Sequence, residues 1–141
     1  MSGLVGQVGA RSGVVGSTTD STQLDYEEGT FSPSINGASS VQYSTGVYVK
    51  IGRNVHFSYF SGSTTLTAVT ASISGLPFTN GSALANYTAI SCAHFTFTSV
   101  GRDGYIPAGG NDVFFVSGTT TTTYTAGSGK YAMISGTYQT A

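Results

Sequence analysis

The sequence predicts an all-β protein: an antiparallel, jelly-roll-like β-sandwich behind an extended, glycine-rich N-terminal arm. Three observations predict it. Strand formers are abundant, with 21 Thr, nine Tyr and eight Phe in 141 residues. The helix formers Leu, Glu, Lys, Gln, Arg and Met are all scarce. Turn formers, including 20 Gly and 20 Ser, punctuate the chain at short intervals. A chain of this length fits one domain and can bury a core without disulfides or metals.

Residues 1–23 read as the arm and 24–141 as a knob. Gly3, Gly6, Gly9, Gly13 and Gly16 recur every three or four residues, which disfavours a stable helix. Leu4, Val5, Val8, Val14 and Val15 stand between them, with Arg11 the only charge before Asp20. One reading is a disordered tail, as most termini are. But solvated tails are usually polar, so the preferred expectation is that these aliphatic residues and Arg11 order against a partner. Residues 17–23 read as a polar linker.

Asp25, Glu27 and Glu28 then precede Gly29. Phe31 and Ile35 point one way around Pro33, a residue that suits a strand start or edge. Asn36-Gly37 signals a turn. Residues 41–52 suit one strand, with Val41, Tyr43, Val47, Val49 and Ile51 as apolar alternates. Gly52 marks a hairpin turn into 54–60, where Val55, Phe57 and Tyr59 share a face. Leu66 to Ile73 continues as a strand with a bulge, ended at Gly75. The longest strand is expected at 85–100, with Tyr87, Ala89, Ser91, Ala93, Phe95 and Phe97 facing the core. A turn at 101–104, short strands near 105, 112–116 and 119–125, and a turn at 127–129 follow. Residues 130–140 form the last strand, with Ala132 and Ile134 opposite Tyr131 and Met133. Strands at such spacing indicate a sandwich or barrel.

Charge and motif content exclude several function classes. Net charge is −1, which gives no attraction to nucleic acid or to an anionic membrane. No apolar run reaches the roughly 20 residues of a membrane helix. The opening MSGLVGQVGARSG contains no apolar h-region, so no secretory signal is expected. The lone Cys92 reads as a buried, inert thiol, and no cysteine cluster suggests zinc. His56 and His94 alternate with aromatics inside strands and have no carboxylate at ligand spacing. Three acids within four residues read as a turn paired with Lys50 or Arg53, since glycosidase carboxylates come from separate elements. No catalytic motif is present, so neither an enzyme nor a cofactor is expected. Asn80-Gly81-Ser82 and Asn86-Tyr87-Thr88 match the glycosylation pattern, as chance predicts in a chain rich in Ser and Thr. The tyrosines suit core and intersubunit packing, or stacking on sugars.

Four ordered segments carry a resemblance: LDYEEGTFSPSI (24–35), YVKIGRNVHF (48–57), ISGLPF (73–78) and ISGTYQTA (134–141). Together they resemble a recurring bacteriophage module, the C-terminal domain of many tail-fibre and virion-surface proteins. Phe31 stands where that module usually has Trp. The resemblance implies a jelly-roll-like sandwich, typically trimeric, on the surface of a phage particle and made in the host cytoplasm. Tyr26, Phe31, Ile51, Leu76 and Phe78 are then expected core or subunit contacts.

The expected function is a capsid decoration or cement protein, docked by its arm on a major capsid or tail protein. An extended arm of this length reaches on the order of 75 Å. The alternative is a short tail fibre whose knob reads host surface glycan through loops 61–65, 79–86 and 99–111. A polysaccharide-degrading tailspike is disfavoured by the short chain and the missing acid pairs.

Overall fold

The computed structural model describes residues 26–140. The predicted attachment residues Leu4, Val5, Val8, Arg11, Val14 and Val15 lie outside them. Among the described residues the regular structure is strand, apart from one 3-10 turn at Leu84–Asn86. The protein is an antiparallel all-β sandwich built from strongly curled sheets, as the composition predicts.

The first sheet runs in the order β1 (Tyr26–Phe31), β4 (Gly46–Ile51), β5 (Asn54–Phe60), β13 (Met133–Gln139) and β8 (Thr88–Ala93). The second continues from β8 through β9 (Asp103–Ile106), β10 (Val113–Ser117) and β7 (Ser72–Ser74) to β2 (Ser34–Ile35), with β11 (Thr120–Thr121) also beside β10. β8 is the corner. Its first half, Thr88 to Ile90, pairs with β9, and its second half, Ser91 to Ala93, pairs with β13. A small third sheet joins β3 (Ala38–Val41), β6 (Thr64–Leu66) and β12 (Gly127–Lys130).

Alternation fixes the core in the best-patterned strands. Val55, Phe57 and Tyr59 of β5 are buried, as are Ile134 and Tyr138 of β13. Ile106, Val113, Phe115 and Ile73 come from the second sheet, and all these residues belong to one cluster. Phe31 meets Phe57 edge-on at 6.2 Å, and Phe57 meets Tyr138 at 6.0 Å. Phe95, Phe97, Phe115 and Tyr124 form a second aromatic group with neighbouring centroids 4.7–6.4 Å apart.

Several expectations are corrected. The single strand at 41–52 is two, β3 and β4, in different sheets, because residues 42–45 leave the ladder. The strand at 66–73 is likewise split into β6 and β7. Residues 127–129 belong to β12 rather than to a turn, with a register shift absorbing the glycines. The apolar alternates of β4 face outward: Val47 and Ile51 are exposed, while Gly46, Tyr48 and Lys50 lie on the inner face. Ile51 and Tyr26, opposite each other in register, are therefore not core residues.

The largest correction concerns 85–100. Tyr87, Ala89, Ser91 and Ala93 point outward, and Ile90 and Cys92 point inward. His94 explains why. Its φ of 44° makes it the one non-glycine residue in the left-handed region among those described. It ends β8 and shifts the phase, so that Phe95 and Phe97 turn back into the core.

Candidate functional site

Two places collect the residues with something to do. The first is a kernel under the β1 edge of the first sheet. On its inner face Gly29 lies opposite Tyr48, and Phe31 opposite Gly46. Each glycine is a seat for the ring across from it. A Cβ on Gly46 would lie 2.3 Å from Phe31, and one on Gly29 would lie 3.0 Å from the Tyr48 hydroxyl. The Tyr48 ring therefore crosses β1, and its hydroxyl donates to Glu27 Oε1 at 2.6 Å. Its other contact is Phe78, edge-on at 5.3 Å. Lys50 Nζ sits 5.6 Å from the Phe78 ring centre, a cation–π contact. The Tyr138 hydroxyl fixes the Phe78 backbone, donating to its C=O at 2.9 Å and accepting from its N–H at 3.1 Å.

This kernel places the expected contact residues. Phe31 and Leu76 are buried, and Phe78 is half-buried against the core. Tyr26 stays outside, donating to Glu28 Oε2 at 2.6 Å. The carboxylates at 27 and 28 thus serve as acceptors for tyrosines. Both tyrosine hydroxyls are held above their ordinary pKa, first by the hydrogen bond to the carboxylate and then by desolvation.

The second place is a trough of about 860 Å³ on the outer face of the same sheet. Strand register builds its floor. Val47, Ser58, Ser135 and Ser91 form one row across β4, β5, β13 and β8. Phe60, Met133 and Ala93 form the next. Facing side chains in such rows stand about 5 Å apart. The segment 42–45 walls one side, so the break between β3 and β4 is what makes the trough concave. None of its lining side chains is charged.

An aromatic ladder continues this wall. Tyr43 lies 5.9 Å from Phe60, Phe60 stacks on His94 at 6.0 Å, and His94 stacks on Tyr131 at 4.8 Å with planes only 8° apart. His94 is thus held between two rings in a backbone conformation that costs a non-glycine residue about 1–2 kcal/mol. Such strain is found where surrounding structure enforces it, often at functional sites. His56, on the same face, shares a 3.0 Å hydrogen bond with Thr137 Oγ1.

The sequence did not single out Tyr43, Phe60 or the three serines as a set. They lie far apart in the chain, and only register aligns them. The available signal was period-two parity, which groups Ser58 with Phe60 and Ser135 with Met133 but cannot join the strands.

The loops expected to carry ligand contacts are placed differently. Residues 61–65 are mostly buried, with Ser61 and Thr64 inside and β6 beginning within them. Residues 99–111 contain β9. In 79–86, Ser82 to Ala85 are exposed but Asn80 is 1 % exposed. Asn80 Nδ2 donates to the carbonyls of Asn86 at 2.5 Å and Pro107 at 3.1 Å, so this amide is consumed in tying a loop and is not an accessible glycosylation acceptor.

Cys92 lies beneath the trough. Burial, with the Asp103 charge, pushes its thiol up to about 12, so the thiolate nucleophile is suppressed. Among the described residues, no group of three or more His, Cys, Asp or Glu could hold a metal ion.

No known protein family, curated protein or solved structure matches this chain.

Proposed function

We propose that this chain is a bacteriophage virion structural protein, a capsid decoration or cement protein. Residues 1–23 dock it on the particle, and the sandwich projects as a homotrimeric knob. One observation carries the reading. The four segments that resemble the phage module converge on the kernel, through Glu27, Gly29 and Phe31, then Tyr48, Lys50 and Phe57, then Phe78, then Tyr138. Segments scattered over more than 100 residues that meet in one packed unit are what a shared fold requires.

Other features support it. A charge content of 8% suits a subunit packed against copies of itself, where unpaired buried charge is costly. Tyr26 and Ile51 place exposed apolar surface at the root of the arm, beside the edge strand β1. Exposed apolar surface of this kind suits a subunit contact.

The test is virion incorporation. Deleting residues 1–20 is expected to abolish it, and incorporation of the truncated chain would refute arm docking. Densitometry of purified particles is expected to show copy numbers comparable with the major capsid protein. A count limited to a small fraction of that sinks the capsid assignment. Light scattering is expected to give a trimer.

The trough favours a second reading, a short tail fibre or receptor-binding protein that recognises host surface glycan. Excess purified protein should then block adsorption of the phage to its host. Unchanged adsorption counts against this reading alone.

A further inference from the structure

We propose that the trough on the outer face of the first sheet is a binding site for a neutral oligosaccharide, with Tyr43 as its stacking platform and Ser58, Ser91 and Ser135 as its hydroxyl comb. This rests on the receptor-binding reading and gives it a site and a ligand class.

The comb comes from register. Ser58, Ser135 and Ser91 sit directly opposite one another on three adjacent strands and project from one face. Among the described residues their hydroxyls carry no hydrogen bond, and each can both donate and accept. Adjacent hydroxyls that do both complement the vicinal hydroxyls of a sugar ring. Beside the comb lie Phe60 and Met133, which offer apolar surface for the C–H face of the same ring.

The platform is held in place. Tyr43 is 51% exposed, yet its ring is fixed on three sides. Gln42 Nε2 donates to its hydroxyl at 3.3 Å, while Gln42 Oε1 is anchored by the Ser63 N–H at 2.8 Å. Phe60 packs against it at 5.9 Å. Beneath it lies Gly62, with φ of 60°, where a Cβ would stand 2.6 Å from the ring. The Tyr43 backbone is tied down as well, its C=O accepting from the buried Tyr59 hydroxyl at 2.8 Å. An exposed ring that is already ordered loses little entropy on stacking.

Charge selects among ligands. With no charged side chain in the lining, an anionic sugar or phosphate would be desolvated there without a counter-charge. The floor strands β4, β5 and β13 each lie between two neighbours, so an extended peptide could add only at the margin, along the Ser91–Ala93 half of β8, and not across the floor. An uncharged, polyhydroxylated ligand with apolar ring faces is what remains. A trough of about 860 Å³ holds a few sugar rings.

The test is an amide NMR titration of the isotope-labelled full chain. The probes are maltotriose, cellotriose and triacetylchitotriose, with trigalacturonate as the charged comparator. At least one neutral trisaccharide is expected to shift the signals of Tyr43, Phe60, Ala93 and Ser135. Tyr43→Ala should weaken that binding roughly tenfold, the scale of one aromatic contact. Ser135→Val, which keeps a strand former on β13 but fills the floor, should abolish it and serves if Tyr43→Ala does not fold. No shift at the trough with any neutral probe overturns the proposal. So does binding indifferent to both substitutions, or equal binding of trigalacturonate. If the sugars fail while the protein still blocks adsorption, this site is wrong and the receptor-binding reading stands.

Discussion

Single residues carry the two kinds of chemistry that pH exposes. Tyr59 and Tyr138 are pushed up to about 12 by burial, against an ordinary value near 10. Tyr124 is raised further, although its bond to the Ser72 C=O at 2.6 Å also orients it. The unfolded chain therefore loses these protons first as pH rises. The stability the neutral phenols provide is complete below about pH 10 and is lost as pH climbs towards about 12. Unfolding followed by circular dichroism should begin in that window, with tyrosinate absorbance rising together with it. Absorbance from all tyrosines well before unfolding would contradict this. Cys92, with its thiol pushed up to about 12, should resist alkylation by iodoacetamide near pH 8 in the native state and react readily once unfolded. The mid-strand position of Cys92 points to an inert thiol, but the cause is visible only in the fold, where inward-facing Cys92 lies near Asp103.

At the scale of elements, two small features decide which way strands face. Gly46→Ala would set a Cβ against the Phe31 ring and should cost about 1–3 kcal/mol, as overpacking does, read by urea denaturation. An unchanged midpoint would mean that Phe31 can move at no cost. His94 should behave the opposite way to an ordinary strand residue. His94→Gly and His94→Ala both remove the stack on Tyr131, but only Gly also relieves the backbone strain. The glycine variant is therefore expected to be more stable than the alanine variant by about 1 kcal/mol. The reverse order would show that φ at 94 carries no strain. Neither feature was legible from alternation. The pattern at 85–100 runs unbroken through His94 in sequence, and only the structure shows that its two halves use opposite parity.

For the whole molecule, the core runs from Phe31 to Tyr138, drawn from both large sheets and the small one. The chain without residues 1–20 is accordingly expected to melt at the same temperature as the full chain by scanning calorimetry. A lower melting temperature would make the arm part of the knob rather than its attachment. The two functional surfaces also separate at this scale. The Tyr26–Ile51 pair lies at the β4–β5 turn end of the outer face, and the Phe60–Met133–Ala93 row lies at the other. Subunit contact and ligand contact can therefore coexist on one sheet.

The sequence by itself determined that this protein is a β-sandwich. It also determined where the glycine turns at 37, 52 and 75 fall, and that Val55, Phe57 and Tyr59 form a buried face. These follow from local rules: strand propensity, positive-φ glycines and period-two alternation. Only the tertiary structure decided which face of β4 and β8 is inside, and that three distant serines share a row. Alternation says that a strand has two faces but not which one is buried. That choice depends on what lies across the ladder, such as the rings of Phe31 and Tyr48 seated on Gly46 and Gly29.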